Sequence, residues 1–189
     1  MSDYVEGKSR WWGWGDLDQR FDVENRKNIM PFLRENLGMG LDSDRFSDPS
    51  LEEIDLPAHR LGDDVLAFLR DLCGPDNVAV DKFQRVSHSM GKSYRDLLRY
   101  RQRRIERPVD AVVWPREERE IVEILRFAEE RNLAVIPFGG GSSVTGGVEP
   151  MGEKAGFISL DMARMNRVLK VDATSHTALI QAGALGPEL

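Results

Sequence analysis

The sequence predicts an α+β protein: an N-terminal helical arm over residues 1–106, then an α/β region over residues 107–189 that stops before such a fold would close. Three observations carry this reading. The first 55 residues set Trp11, Trp12 and Trp14 among Gly, Asp and Pro and show little sustained apolar periodicity. From Arg107 onward, short apolar runs alternate with an amphipathic pattern, as strands joined by a crossover helix do. At the end, Pro187 and Glu188 read as the opening of a helix that does not continue, so a domain cut at Leu189 would lack part of its core.

In the arm, the three tryptophans bracket Gly13 ahead of Gly15-Asp16, which suits an extended segment seating its indoles in grooves of a larger body. Burial is their expected role. Residues 25–37 predict a helix with Ile29, Phe32, Leu33 and Leu37 on one stripe, closed by Gly38. Residues 63–72 predict a second, with Val65, Leu66, Phe68, Leu69 and Leu72 apolar and Cys73-Gly74-Pro75 ending it; Cys73 is there a small hydrophobe. Residues 109–114, closed by Pro115, read as a buried strand. The helix after it keeps Ile121, Ile124, Leu125 and Ala128 at i, i+3, i+4, i+7, with Glu117, Glu118 and Glu120 near its positive end and Arg131 at its other end before Asn132. Residues 133–136 form the next strand, and a strand–helix–strand unit of this length implies a parallel pairing. Beyond a glycine-rich loop, residues 157–160, 167–172 and 176–182 are further strand candidates.

Composition excludes several classes. The longest apolar runs fall far short of the roughly 20 residues that a membrane-spanning helix needs. The first residues, Met1-Ser2-Asp3-Tyr4-Val5-Glu6, have neither a basic nor an apolar leader region, so a cytoplasmic protein is expected. One cysteine and three scattered histidines give no disulfide and no metal-binding spacing. The formal charge of -6 is uneven: residues 1–80 carry -8, residues 81–107 carry +6 and residues 108–189 carry -4. The Arg-rich run at 95–107 could meet an anionic ligand, a nucleic acid or, peripherally, a membrane surface, but a solvated helix face beside acidic neighbours is the expected reading. An acidic remainder without any nucleic-acid-binding motif argues against nucleic acid.

The segment that carries chemistry is Pro137-Phe138-Gly139-Gly140-Gly141-Ser142-Ser143-Val144, continuing through Thr145-Gly146-Gly147-Val148. Three successive glycines let the backbone enter left-handed conformations and approach a ligand with no Cβ between. Successive N–H groups can then form an anion-binding concavity, with Ser142, Ser143 and Thr145 adding hydroxyls. Diphosphate is the obvious guest, and no Lys or Arg lies between Ile136 and Pro150, so the backbone must supply the site. Two other phosphate loops fail on spacing. A dinucleotide fingerprint begun at Gly139 needs a glycine where Val144 stands. A nucleoside-triphosphate loop begun at Gly141 meets Gly147-Val148 where Lys-Ser/Thr belongs, and Gly91-Lys92-Ser93 has Val86 in place of its first glycine.

The order of strand, helix, strand and Pro-x-Gly-Gly-Gly-Ser-Ser-Val resembles the FAD-binding domain of the vanillyl-alcohol oxidase and p-cresol methylhydroxylase (PCMH-type) superfamily. Further blocks narrow the resemblance: Trp12-Gly13-Trp14-Gly15, Gln84-Arg85-Val86-Ser87-His88-Ser89, Pro108-Val109-Asp110-Ala111-Val112-Val113-Trp114-Pro115, Ile158-Ser159-Leu160-Asp161, Met165-Asn166-Arg167-Val168 and Gln181-Ala182-Gly183-Ala184-Leu185-Gly186-Pro187-Glu188-Leu189. Together they resemble the alkyldihydroxyacetonephosphate synthase family. The resemblance implies that residues 137–144 wrap the FAD pyrophosphate. It also implies a dissociable cofactor, because the loop lacks the histidine that tethers FAD in some superfamily members. In such synthases the flavin N5 holds dihydroxyacetone phosphate while an acyl group leaves and a fatty alcohol enters. The acids, bases and phosphate-holding cation of that step are expected beyond Leu189, leaving the catalytic residues of this chain unassigned. A small-molecule or lipid-like substrate and a homodimer of the complete protein are expected. The rival readings are an FAD-dependent dehydrogenase of a 2-hydroxy acid such as D-lactate and, from another class, a non-catalytic fragment or partner-binding arm. His88 and His176 could be proton carriers, but each stands alone and neither is assigned a role.

Overall fold

Asp63 and Asp64 stand in the first turn of helix α2 (Asp63–Cys73), where carboxylates favour the positive helix end. Gly74, with φ +92°, closes the helix by donating its N–H to the Arg70 carbonyl. A computed structural model describes residues 9–17, 26–37 and 48–189. Helix α1 (Ile29–Leu37) comes first; its expected limits, Asn25 and Gly38, lie outside the described residues. Its stripe is not covered as the pattern predicts, since Phe32 is 61% and Leu37 59% exposed.

Three short elements escape the apolar pattern: strand β1 (Val78–Ala79), helix α3 (Lys82–Ser87) and helix α4 (Tyr94–Arg101). Caps define both helices. The Asp81 carboxylate accepts the Gln84 N–H at 3.0 Å to start α3. Ser93 and Asp96 bond reciprocally to start α4, a capping box.

Strand β2 (Ala111–Val113), strand β3 (Leu133–Phe138) and strand β4 (Gly156–Asp161) join β1 in a sheet of order β1-β2-β4-β3, with helix α5 (Glu118–Glu130) between β2 and β3 in the chain. β2, β4 and β3 are parallel, and β1 lies antiparallel on β2. The crossover therefore gives the expected parallel direction, but β2 and β3 are not neighbours. β4 lies between them, pairing Ile158 with Ala111 on one side and Val135 on the other. Burial explains the choice: β4 is buried at every position, as a central strand must be, whereas three of the six positions of β3 are half-buried and one is exposed. Strands β5 (Val168–Asp172) and β6 (Thr177–Ile180) form a separate antiparallel hairpin.

Helices α2 and α5 cover one face of the sheet. Val65, Leu69, Ile124 and Ala128 pack with Ala111, Val113, Ile158 and Leu160, and Phe68 stacks on Phe127 at 3.9 Å. Cys73 is fully buried in this layer, which pushes its thiol up to about 11, with the Glu120 charge adding to the shift. Because side chains alternate along a strand, Val112 and Phe157 face the other way and pack with Val109. A third cluster gathers the arm: Trp11 meets Trp12 and Tyr100 edge-on at 5.1 and 5.4 Å, over Ile54, Val86 and Met90.

The Arg-rich run is largely paired within the chain. Arg103 reaches Glu53 at 2.9 Å and Arg104 reaches Glu106 at 2.6 Å. Arg99 departs from the expected solvated face: it is buried, 2.6 Å from Glu149 and 3.7 Å from Asp96.

Asp110, 1% exposed, ties the approach to α2 onto the sheet. Its carboxylate accepts the N–H groups of Arg60 and Phe157, each at 2.8 Å, and the Arg60 guanidinium at 2.9 Å. Asp110→Ala is expected to lower the unfolding free energy by roughly 3 kcal/mol, since two backbone donors lose their partner. Urea denaturation of the apoprotein measures it, and a loss below about 1 kcal/mol would show that water replaces the carboxylate.

Candidate functional site

Strand β3 runs two residues past its predicted end. Pro137 and Phe138 pair in register with Leu160 and Asp161, so the glycine loop leaves the sheet at Gly139. It leaves at the carboxyl end of three parallel strands, where ligands bind in open sheets of this kind. Gly139 and Gly140 are exposed, and a Cβ on either would meet no atom within 4 Å. Gly141 holds φ +62° and Gly146 φ +80°, conformations that favour glycine. Ser142 and Val144 are exposed and Ser143 is half-buried. Among the described residues, no backbone N–H of residues 140–144 donates a hydrogen bond within the chain.

The exit of the loop is fastened. The Gly147 N–H donates to Ser143 Oγ at 3.0 Å, the Glu149 N–H donates to the Gly146 carbonyl at 3.1 Å, and the Glu149 carboxylate is held by Arg99. A loop fixed at both ends with free donors between them is a concavity suited to an anion.

The eight residues singled out in the sequence are contiguous here, but they do not share one environment. The Phe138 side chain is 1% exposed and lies 4.2 Å from the His88 ring, which leaves only its backbone to the loop. Beneath it is a polar cluster that the sequence does not announce. His88 Nε2 is 3.1 Å from Asp161 Oδ2, the Trp114 indole N–H donates to the same oxygen at 2.8 Å, and Asp161 Oδ1 accepts the Ala163 N–H at 2.8 Å. His88 Nδ1 faces the Gln84 carbonyl at 2.8 Å. His88 is therefore a buried support for the strand ends. His176 sits exposed in the β5–β6 turn at φ +52°.

Lys92, far away in sequence, also reaches the loop. Its backbone N–H donates to the Ser143 carbonyl at 2.7 Å, while its ammonium turns to the arm, 3.4 Å from the Arg10 carbonyl and 5.5 Å from the Trp14 ring centre. Burial draws the Lys92 ammonium below its ordinary pKa. A usable sequence signal was the capping pair Ser93 and Asp96, which fixes where the chain turns after Lys92.

Residues 109–189 match the FAD binding domain family. The chain is 44% identical over 123 residues to the alkyldihydroxyacetonephosphate synthase of Trypanosoma brucei brucei, covering 64% of this chain and 20% of that protein. It is 32% identical over 199 residues to the alkyldihydroxyacetonephosphate synthase of Caenorhabditis elegans, covering 95% of this chain and 33% of that protein. A solved alkyldihydroxyacetonephosphate synthase superposes on all of it with a TM-score of 0.84 at 29% identity, over 38% of the solved chain. The chain is alkyldihydroxyacetonephosphate synthase-like. It spans well under half the length of each of these relatives.

In the synthase-like chain the FAD-domain match begins at Val109, two residues before β2, and takes in the glycine loop and Asp161. The loop fits the diphosphate of such a cofactor on three counts. Its donors are free, the side of Gly139 and Gly140 is open, and no acidic residue lies between Gly139 and Val148.

Proposed function

We propose that the synthase-like chain holds the diphosphate of FAD on the backbone of residues 139–144, with the Ser142 and Ser143 hydroxyls beside it. The observation that carries this is the run of unengaged N–H groups at the end of β3, in a chain that superposes throughout on a solved synthase. Backbone dipoles in place of side-chain cations are enough for such a group, because each exposed N–H presents a partial positive charge that needs no reorganisation when the anion arrives. The protein that carries this chain exchanges the acyl group of acyl-dihydroxyacetone phosphate for a fatty alcohol, so its substrates are a phosphate ester and a lipid-like alcohol. When bound, the flavin supplies the group that holds the substrate during the exchange. The residues seen here anchor that flavin and leave the exchange to other parts of the protein.

The reading is tested by incubating the complete flavoprotein with acyl-dihydroxyacetone phosphate and a long-chain alcohol, and separately with D-2-hydroxy acids and an electron acceptor. Ether product without net redox turnover is expected. Oxidation of the hydroxy acid with no ether product would move the protein to the dehydrogenases.

The cofactor is held without a covalent bond. The histidine nearest the loop, His88, is 2% exposed and engaged by Asp161, so it cannot reach a flavin on the loop's open side. Acid precipitation of the holoprotein is expected to leave the yellow colour in the supernatant. Flavin that stays with the pellet would reveal a tether.

A further inference from the structure

Between α3 and α4 the chain makes a short strap, residues 88–92, that passes under the glycine loop. It touches both of the loop's ends. At the entry, the His88 ring packs on Phe138, the residue before Gly139. At the exit, the Lys92 N–H donates to the Ser143 carbonyl at 2.7 Å, and the backbone of Gly91 comes so close that an added Cβ would stand 2.1 Å from that oxygen and 3.0 Å from its carbon. The strap itself is firmly held. Ser89 Oγ accepts the Val109 N–H at 2.9 Å, Met90 is buried with Trp11 and Tyr100, and the Lys92 carbonyl accepts the indole N–H of Trp14 at 3.1 Å.

We infer that this strap, pressed into place by the tryptophan arm, orients the cofactor loop, and that Gly91 is the positioning residue that sets it. The reason lies in peptide geometry. A trans peptide is planar, so its C=O and N–H point in opposite directions, and the chain contains no cis peptide among the described residues. With the Ser143 carbonyl drawn down onto Lys92, the N–H of Val144 in the same peptide plane must point up, away from the strap. Val144 is 58% exposed, and its N–H has no partner within the chain. One hydrogen bond to a buried strap thus aims one donor at the site where an anion would sit. Gly91 is required because the contact is backbone against backbone and leaves no room for a methyl group. Since the strap is buried and the loop is largely exposed, a side chain at 91 would displace the loop.

This inference rests on the proposal that residues 139–144 bind the FAD diphosphate, and the experiment separates the two. FAD is titrated into apoprotein of the complete chain by flavin fluorescence, with apoprotein melting followed by circular dichroism. Gly91→Ala is expected to weaken FAD at least tenfold. Trp14→Phe removes the indole donor from a residue that is 47% exposed, so it spares the core; it is expected to weaken FAD several-fold with the apoprotein melting temperature unchanged. A merely structural role for Trp14 would not move the FAD affinity in this way. If Gly91→Ala fails to fold, Trp14→Phe decides. Wild-type affinity in Trp14→Phe, and in Gly91→Ala where it folds, overturns the strap's role provided that Gly140→Asp loses FAD. Wild-type affinity in Gly140→Asp as well overturns the site itself.

Discussion

Gly140→Asp is expected to abolish FAD retention while leaving the apoprotein fold unchanged. Gly140 does not hold a left-handed φ, and a Cβ there meets no protein atom within 4 Å, so the apoprotein accommodates the new side chain in open solvent. The carboxylate, however, stands among the free N–H groups and takes the place of the diphosphate, adding a like charge to it. A hundredfold or greater loss of affinity is expected, about 2.7 kcal/mol, read as flavin absorbance per protein after gel filtration. Gly141→Asp should lose the cofactor too, with a lower apoprotein melting temperature, because φ +62° costs an L-residue roughly 1–2 kcal/mol. Normal flavin content in Gly140→Asp would exclude the loop from the cofactor site.

The loop was legible in the sequence because its requirement is local. Gly139, Gly140 and Gly141 encode a backbone that no side chain screens, and the flanking apolar runs place it behind a strand. The exact end of that strand was less legible. Pro137 looks like a loop residue, yet β3 is at the edge of the sheet, where a residue without an N–H costs no ladder bond on the open side. Sheet order was hidden for another reason: β4 enters between β2 and β3 because it is buried on both faces, a comparison among strands that no single window makes. Helices α3 and α4 are too short for an amphipathic stripe to stand out, and their caps were the readable part. The His88–Asp161 pair joins residues 73 apart, and Lys92 and Ser143 are similarly remote. Such contacts follow only once the sheet has brought its strand ends together.

The polypeptide 1–189 on its own is expected to bind FAD weakly or not at all, and to associate with itself. Its hairpin is the reason. Leu179 and Ile180 are successive residues of β6 and so face opposite sides of the strand, yet they are 59% and 37% exposed. Val168 and Val171 on β5 are exposed as well. A two-stranded ribbon with apolar residues bare on both faces has little independent stability, and its free edges invite pairing with other chains. On the proposed reading the glycine loop would meet only the diphosphate, whereas a ligand of this size is normally held with roughly 70–90% of its surface buried. The matched relatives are much longer, and the solved synthase has this chain as 38% of its length, so the surfaces that would cover the hairpin and the rest of the flavin are sought there. Flavin fluorescence titration of the isolated polypeptide, with light scattering and circular dichroism melting in parallel, makes the test. Micromolar or tighter binding by a monomer that melts cooperatively would show that the loop and its strap suffice to hold the cofactor, and that the bare hairpin needs no cover.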